Sequence, residues 1–293
     1  MNTNRSNLMW AGIFVGPWVL GFLLFTAYPF FASLWYSFTN YNIVRDAEFI
    51  GLYNYEFMFF KDIVFWVSIG NTFYFAITLV IFGTIVDIFL AALLNRKIVA
   101  RATYRLIYFI PVLVPTVASS LIWIWVLNPQ RGIVNYLLEA MGLVGPNWLG
   151  STTWVKPALV IMAIWGSGRA IIIFLAGLQE IPRHLYEAAR IDGAGPITVF
   201  RHITLPLLTP VILFNVVVGL IFSFQAFAES YIMTQGGPAN ASLFYGLNLY
   251  FHAFENLRMG YASALAWLLF MIIMFFTLVV FRGTRRWVYY ENE

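Results

Sequence analysis

Long apolar stretches, separated by short polar ones, dominate the pattern of this chain. Six of them are long enough to cross a bilayer as helices, at about residues 9–37, 64–95, 104–127, 154–178, 207–228 and 258–281. The stretches are continuous rather than alternating between apolar and polar residues, which favours helices over a β-barrel. The pattern therefore predicts an all-α, polytopic membrane protein with six transmembrane helices in a single domain, residues 1–293.

Composition supports this prediction, because 61% of the 293 residues are hydrophobic and only 10% are charged, with a mean hydropathy of +0.79. The chain has no cysteine, which excludes a disulfide framework, thiol catalysis and cysteine metal sites. The first apolar run, from about Leu8 to Leu34, is longer than the apolar core of a signal peptide. It is predicted to be the first membrane span.

The basic residues are distributed unevenly between the two sets of loops. Eleven lie on the side that the termini share: Arg5, Arg96, Lys97, Arg101, Arg105, Arg183, Arg190, Arg201, Arg282, Arg285 and Arg286. Five lie on the other side: Arg45, Lys61, Arg131, Lys156 and Arg258. Because cytoplasmic loops carry an excess of Lys and Arg, both termini and the polar loop at 179–206 are predicted to be cytoplasmic.

The polar loop at 179–206 has the letters of two short helices separated by a turn. Pro182 suits the first turn of a helix that continues to about residue 192, and Gly193 can supply a left-handed cap at its end. A second short helix is predicted to run to about His202. Helices this short are marginal alone in water, so the loop requires packing partners. An ordinary amphipathic helix at the membrane interface is the alternative.

Three motifs in this loop carry a family resemblance. The letters EAA at 187–189, Gly193 and the letters ITLP at 203–206 resemble the EAA signature of permease subunits of binding-protein-dependent ATP-binding-cassette importers. The letters LAGLQEIP at 175–182 and GYASA at 260–264 are similar to the carbohydrate branch of that family, the maltose, multiple-sugar and glycerol-3-phosphate type. The resemblance implies the type I importer permease fold in the bacterial cytoplasmic membrane, working by alternating access.

The resemblance implies that this loop is a coupling helix that docks on a separate ATPase subunit. The residues implied in that contact are Glu187, Ala188, Ala189, Asp192 and Gly193, although the last two would serve equally as helix termination. None of the three lysines, Lys61, Lys97 and Lys156, follows a glycine, so the chain has no P-loop. ATP and Mg²⁺ are therefore expected on the partner ATPase, with no cofactor and no enzyme activity on this chain.

The implied partners are a second, homologous permease subunit, two ATP-binding subunits, an extracytoplasmic solute-binding protein and membrane lipid, with no nucleic acid. The implied substrate is an oligosaccharide, neutral or anionic, and a permease for glycerol-3-phosphate or another sugar phosphate is the alternative. An ion-coupled secondary transporter would show inverted repeats and paired intramembrane acids, which this sequence lacks apart from Asp87. An intramembrane enzyme is disfavoured because no catalytic cluster or Gly-x-Ser-x-Gly motif occurs.

In the family, the fourth and fifth spans hold the sugar. The corresponding candidates in this chain are Trp165, Gly168, Arg169, Ile172, Phe224 and Gln225. Aromatic faces stack on the C–H faces of sugar rings, and amide groups match sugar hydroxyls. For Phe224, core packing is the alternative role.

Two charged residues fall inside predicted spans. Arg169 lies roughly 15 Å and Asp87 roughly 12 Å from the inner ends of their spans, at ~1.5 Å per residue. Similar depth allows an ion pair; alternatively, Arg169 faces the substrate and favours a carboxylate or phosphate. The three histidines, His184, His202 and His252, lack the spacing of metal ligands, so no metal site is predicted.

Overall fold

The fold is known from a computed structural model, which describes residues 3–96 and 99–284. Within those ranges the chain is almost entirely helical, and the single β-bridge joins Thr39 to Phe49. The α-helices are α1 (Thr3–Phe22), α2 (Tyr28–Tyr36), α3 (Tyr53–Phe60), α4 (Ile63–Asn95), α5 (Arg101–Leu113), α6 (Thr116–Val126), α7 (Ile133–Ala140), α8 (Val155–Trp165), α9 (Gly168–Glu180), α10 (Arg183–Ile191), α11 (Pro196–Val199), α12 (Leu205–Leu207), α13 (Thr209–Phe224), α14 (Ala228–Thr234), α15 (Tyr245–Tyr250) and α16 (Met259–Thr284). Short π-helical turns occupy Leu23–Ala27, Phe200–Thr204 and Phe251–Glu255. The all-α fold class is therefore confirmed.

Three helical segments are long and apolar enough to cross a membrane unaided: Gly12–Tyr36, Ile63–Asn95 and Met259–Gly283. They coincide with the spans predicted at 9–37, 64–95 and 258–281. The other three predicted spans fall on pairs of helices joined at a bend, so the structure has up to six crossings if each bent pair counts as one. Lys97, Arg285 and Arg286, which enter the charge count, lie outside the described residues, as do both chain ends.

The sharpest bend, 104°, separates α5 from α6 at Pro115. Val114 before it is extended, with a ψ of 125°, because the proline ring disfavours a helical conformation in the preceding residue. The stretch predicted as one span at 104–127 is therefore two helices. The apolar run is continuous there, and only the proline indicates the break.

A second bend divides the fourth predicted span, and a third lies at the start of the fifth. α8 and α9 meet at 50° across Gly166 and Ser167, and the segment Pro196–Leu207 meets α13 at 66°. The helix of the fifth predicted span also ends earlier than expected. Gln225 is the C-cap of α13, whereas the apolar pattern extended this span to residue 228.

By its internal contacts, the chain divides into two compact units. The first combines the segment that ends at Asp62 with Leu249–Phe270, and the second combines Ile63–Asn248 with the segment that begins at Met271. In the second unit, α4 packs against α8, α9 and α13. Its buried side chains belong to two core clusters, one around Phe75 and one around Ile88. These clusters fix the helices that line the cavity described below.

In the first unit, the start of α16 is fastened to the loop that follows α2. The amide of Gly260 donates to the carbonyl oxygen of Tyr41 at 2.8 Å. The hydroxyl of Tyr261 donates to the Asp62 carboxylate at 2.6 Å, and His252 lies 3.8 Å from the same carboxylate. Burial lowers the pKa of His252 in spite of the opposing effect of Asp62, so the imidazole is neutral near pH 7.

Candidate functional site

The polar loop predicted to face the cytoplasm begins with α10, and local chemistry fixes both ends of this helix. Pro182 is the N-cap residue, with φ −60° and ψ 131°. It lies one position before the first turn of the helix, in which it was predicted. Gly193 is left-handed, with φ +73°. Its amide donates to Arg190 O at 3.1 Å, and the amide of Ala194 donates to Ala189 O at 2.9 Å. These two bonds form a Schellman motif, so the predicted glycine cap is confirmed.

One side of α10 is held by the protein and the other is exposed. Ala189 is buried, and the hydroxyl of Tyr186 lies 3.1 Å from that of Thr204. The exposed residues include Glu187, Ala188, Asp192 and Gly193, four of the five implied in ATPase contact. Two isoleucines extend this surface, since Ile191 is 87% and Ile197 is 83% exposed. An exposed carboxylate beside exposed apolar side chains is typical of a protein-binding surface.

The second helical segment of the loop is longer than predicted. It runs from Pro196 through a π-helical turn to Leu207, whereas its end was predicted near His202. Pro206 therefore lies inside this segment and does not begin the fifth span. The sequence could not show where Pro206 lies, because proline is tolerated in the first turn of any helix. In the structure Pro206 lies in the first turn of the short helix α12.

The second unit contains a cavity of about 410 Å³, here called the central cavity. It is lined by residues of α4, α5, α6, α8, α9, α13 and α14, and by the α5–α6 and α8–α9 bends. Its polar and charged lining residues are Thr84, Asp87, Thr116, Ser119, Ser167, Arg169, Asn215, Ser223 and Glu229; its aromatic ones are Phe75, Trp165 and Phe222. Its volume lies within the roughly 300–1,000 Å³ that is typical of small-molecule pockets. Hydroxyl, amide and charged groups among aromatic rings suit a ligand with many hydroxyl groups.

Two of the six predicted substrate residues line the central cavity: Trp165, which is 41% exposed, and Arg169. Gly168 instead lies against α5, where a Cβ atom would come within 2.2 Å of the Tyr108 carbonyl oxygen. Ile172 and Gln225 are exposed but do not line this cavity. Residues on one helix point in different directions, so proximity in sequence to Arg169 was not sufficient to place a side chain in the cavity.

Phe224 belongs to the core. It is 2% exposed, and its ring lies edge-on to Phe73 at 5.1 Å between centroids and stacks on Phe276 at 5.7 Å. Phe222, two residues earlier, lines the central cavity and is 63% exposed. Two positions correspond to roughly 200° around a helix at ~3.6 residues per turn, so the two rings lie on opposite faces.

Truncating these two phenylalanines should have different consequences. Phe224→Ala should destabilise the folded protein by about 3–5 kcal/mol, because it leaves a void in the core. Phe222→Ala should leave the melting temperature close to that of the native chain and lower substrate transport instead. Thermal unfolding in detergent and transport in vesicles measure the two effects. Equal destabilisation by both variants would contradict the assignment.

An ion pair between Asp87 and Arg169, one of the two alternatives for these charges, is absent from the described part of the chain. The hydroxyl of Ser167 donates to Asp87 Oδ1 at 2.5 Å, and Ser167 at the bend thus occupies the side of the fourth span that faces Asp87. Residue counts gave the depth of the two charges but not their rotation about the helix axes. Both charged groups nevertheless line the central cavity.

Several lining residues escaped the sequence prediction, among them Ser167, Asn215 and Ser223. Asn215 carried a usable signal, since a carboxamide in an apolar span is costly. Hydroxyl side chains give a weaker signal because they bond to their own helix, as Ser223 does to Leu220 O at 3.1 Å. Among residues 3–96 and 99–284, no three His, Asp or Glu side chains are grouped as a metal site.

Comparison with known proteins identifies a matching family and several related permease proteins. A family model described as "Binding-protein-dependent transport system inner membrane component" matches residues 83–286. The chain is 37% identical to the probable ABC transporter permease protein YesP of Bacillus subtilis, over 96% of this chain and 92% of that protein. It is 34% identical to the sulfoquinovosyl glycerol transport system permease protein SmoG of Agrobacterium fabrum, over 94% and 90%. It is also 34% identical to the trehalose/maltose transport system permease protein MalF of Thermococcus litoralis, over 90% and 89%.

A solved structure shares the fold. A chain in the crystal structure of a bacterial alginate ABC transporter, in complex with its alginate pentasaccharide-bound periplasmic protein, matches with a TM-score of 0.82. The match covers 97% of this chain and 96% of that chain at 24% sequence identity.

Proposed function

The chain belongs to the family of binding-protein-dependent transport system inner membrane components, and from this premise we propose that it forms half of the translocation pathway of an ATP-driven oligosaccharide importer. It is a sugar ABC importer permease and a non-catalytic, multi-pass subunit of the inner membrane. The observation that carries the proposal is the central cavity, where Trp165 and Phe222 lie among hydroxyl, amide and charged side chains. Alternating access would expose this cavity to each side of the membrane in turn.

The proposed cargo is an oligosaccharide, and Arg169 would bind an acidic substituent on it. A guanidinium binds a carboxylate, sulfonate or phosphate through two parallel hydrogen bonds. Relatives are named for both kinds of cargo, sulfoquinovosyl glycerol for SmoG and trehalose/maltose for MalF. A sugar phosphate such as glycerol-3-phosphate remains the alternative.

The polar loop is proposed to couple this chain to a cytoplasmic ATPase. Glu187 and Ala188 would make the contact, with Asp192 and Gly193 at the edge and the buried Ala189 holding α10 to the protein. The complex would contain a second permease, two ATPase subunits that bind ATP and Mg²⁺, and an extracytoplasmic binding protein. Both termini of the chain would be cytoplasmic, as the distribution of basic residues predicts.

Reconstitution tests this function. The chain would be placed in vesicles with its partner permease and ATPase subunits, and supplied with its binding protein. Labelled maltotriose, arabinotriose and tri-galacturonate would serve as probes. Uptake of at least one probe is expected only when ATP and the binding protein are both present. Uptake driven by an ion gradient without the ATPase subunits would instead identify a secondary transporter.

Replacing Arg169 with alanine should lower uptake of tri-galacturonate about tenfold while uptake of maltotriose changes less than about twofold. A charge-assisted hydrogen bond is worth roughly 1.5–3 kcal/mol, and ~1.4 kcal/mol corresponds to tenfold. Arg45→Ala, in an exposed loop after α2, is the matched control and should change neither. Equal loss of both sugars in Arg169→Ala would exclude a selective role for this residue.

A further inference from the structure

We propose that Asp87 binds substrate, accepting hydrogen bonds from hydroxyl groups of a neutral sugar ring and thereby fixing the orientation of the oligosaccharide in the central cavity. The inference rests on the proposed function and adds a ligand-binding residue on α4, a helix to which no substrate contact was assigned above. It predicts that Asp87 and Arg169 recognise different groups of the same substrate.

The first support is the hydrogen bonding around Asp87. Its Oδ1 accepts from the Ser167 hydroxyl, whereas Oδ2 has no hydrogen-bond donor within the described residues. The Ser167 hydroxyl lies 2.7 Å from Ile164 O as well, so an acceptor on its own helix segment is available to it. Asp87 is therefore not needed to satisfy Ser167. One carboxylate oxygen stays available on the cavity side of α4.

The second support is the cost of a charge at this position. Asp87 is 5% exposed and lies within α4, an apolar helix of 33 residues. An asparagine would accept the same bond from Ser167 without the cost of placing a carboxylate in a membrane span. Arg169, the basic residue that lines the same cavity, is not paired with it. The cost of burying this carboxylate is therefore not offset by an ion pair with Arg169, and hydrogen-bond donors of a ligand would offset it.

The third support is the arrangement of charge and hydroxyl groups. Thr84 lies almost one turn before Asp87 on α4 and also lines the central cavity, so hydroxyl and carboxylate are adjacent. A carboxylate can accept from two neighbouring hydroxyls of a sugar ring at once. It repels a uronate or sulfonate group. A neutral ring is thus expected beside Asp87, and any acidic substituent is expected beside Arg169.

Asp87→Asn tests the role of the charge, because it preserves the size of the side chain and the acceptor for Ser167. In the reconstituted complex, the KM for maltotriose uptake should rise at least tenfold. Ser167→Ala removes the hydrogen bond but not the charge, and it should raise the KM less. Glu139→Gln, an exposed carboxylate on α7 outside the cavity, is the control for loss of charge. Native KM values in Asp87→Asn, or an equal rise in Ser167→Ala, would overturn the proposal.

A labelling experiment tests whether a water-borne ligand can reach position 87, and it needs no knowledge of the cargo. The chain contains no cysteine, so a single introduced thiol can be followed on it by mass spectrometry. In the assembled complex, Asp87→Cys should react with a small, positively charged methanethiosulfonate, whereas Ser120→Cys, a nearly isosteric change at a fully buried position, should not. An unreactive Asp87→Cys would show that position 87 is closed to water-borne ligands and would overturn the inference. Absence of uptake of every probe by the native complex would count against the proposed function instead.

Discussion

Charge reversal at Glu187 should abolish ATP-driven uptake while the protein remains folded in the membrane. The side chain is exposed on α10, and no hydrogen bond or ion pair holds it within the described residues. A lysine there would turn a proposed attraction between subunits into repulsion. Breaking an interfacial charge contact costs about 2–5 kcal/mol, and ~3 kcal/mol already exceeds a hundredfold. Uptake in vesicles and co-purification of the ATPase subunit measure the effect.

Two further variants separate the charge of Glu187 from its shape and from general effects of charge. Glu187→Gln keeps the size of the side chain and should reduce uptake less than Glu187→Lys. Glu139→Lys makes the same reversal on α7, which lies on the predicted outer side, and should leave uptake near the native value. Native uptake by Glu187→Lys, with the ATPase still bound, would contradict the coupling role of this loop.

The polar loop shows which features a sequence predicts well. A left-handed glycine after a short helix follows from local preference alone, and Gly193 takes that conformation with both Schellman bonds. The three unbroken membrane helices were equally accessible, because an apolar run of that length has few alternatives. Both predictions depend on neighbours along the chain and require no knowledge of tertiary contacts.

The central cavity shows what was harder to predict. Hydropathy gives the depth of a residue but neither its rotation about the helix axis nor the bends at Pro115 and Ser167. Phe224 and Gln225 matched the chemistry expected of a sugar site, yet one is core and the other does not line the cavity. Phe222 was overlooked because nothing in an apolar run distinguishes a ring in a cavity from one in lipid.

Gly168 illustrates the same limit, and its replacement by alanine should lower the stability of the protein strongly. It was predicted as a substrate residue, but it lies where α9 comes close to α5, since an added Cβ would lie 2.2 Å from Tyr108 O and 2.9 Å from Val112 Cγ2. A backbone carbonyl cannot rotate aside as a side chain can, so Gly168→Ala must move a helix. Overpacking of this kind typically costs about 1–3 kcal/mol, and a clash with backbone belongs at the upper end of that range, so the variant should yield little folded complex and a clearly lower melting temperature.

A second glycine in the same bend provides the matched control for Gly168→Ala. At Gly166 an added Cβ would lie 3.5 Å from Ala163 O, an ordinary van der Waals contact. Gly166→Ala should therefore melt close to the native temperature, even though Gly166 lines the central cavity and Gly168 does not. Thermal unfolding and size-exclusion chromatography of the solubilised complex compare the two variants. If both melt together at the native temperature, α5 does not hold α9 in place, and the position of Arg169 in the cavity wall depends on other contacts.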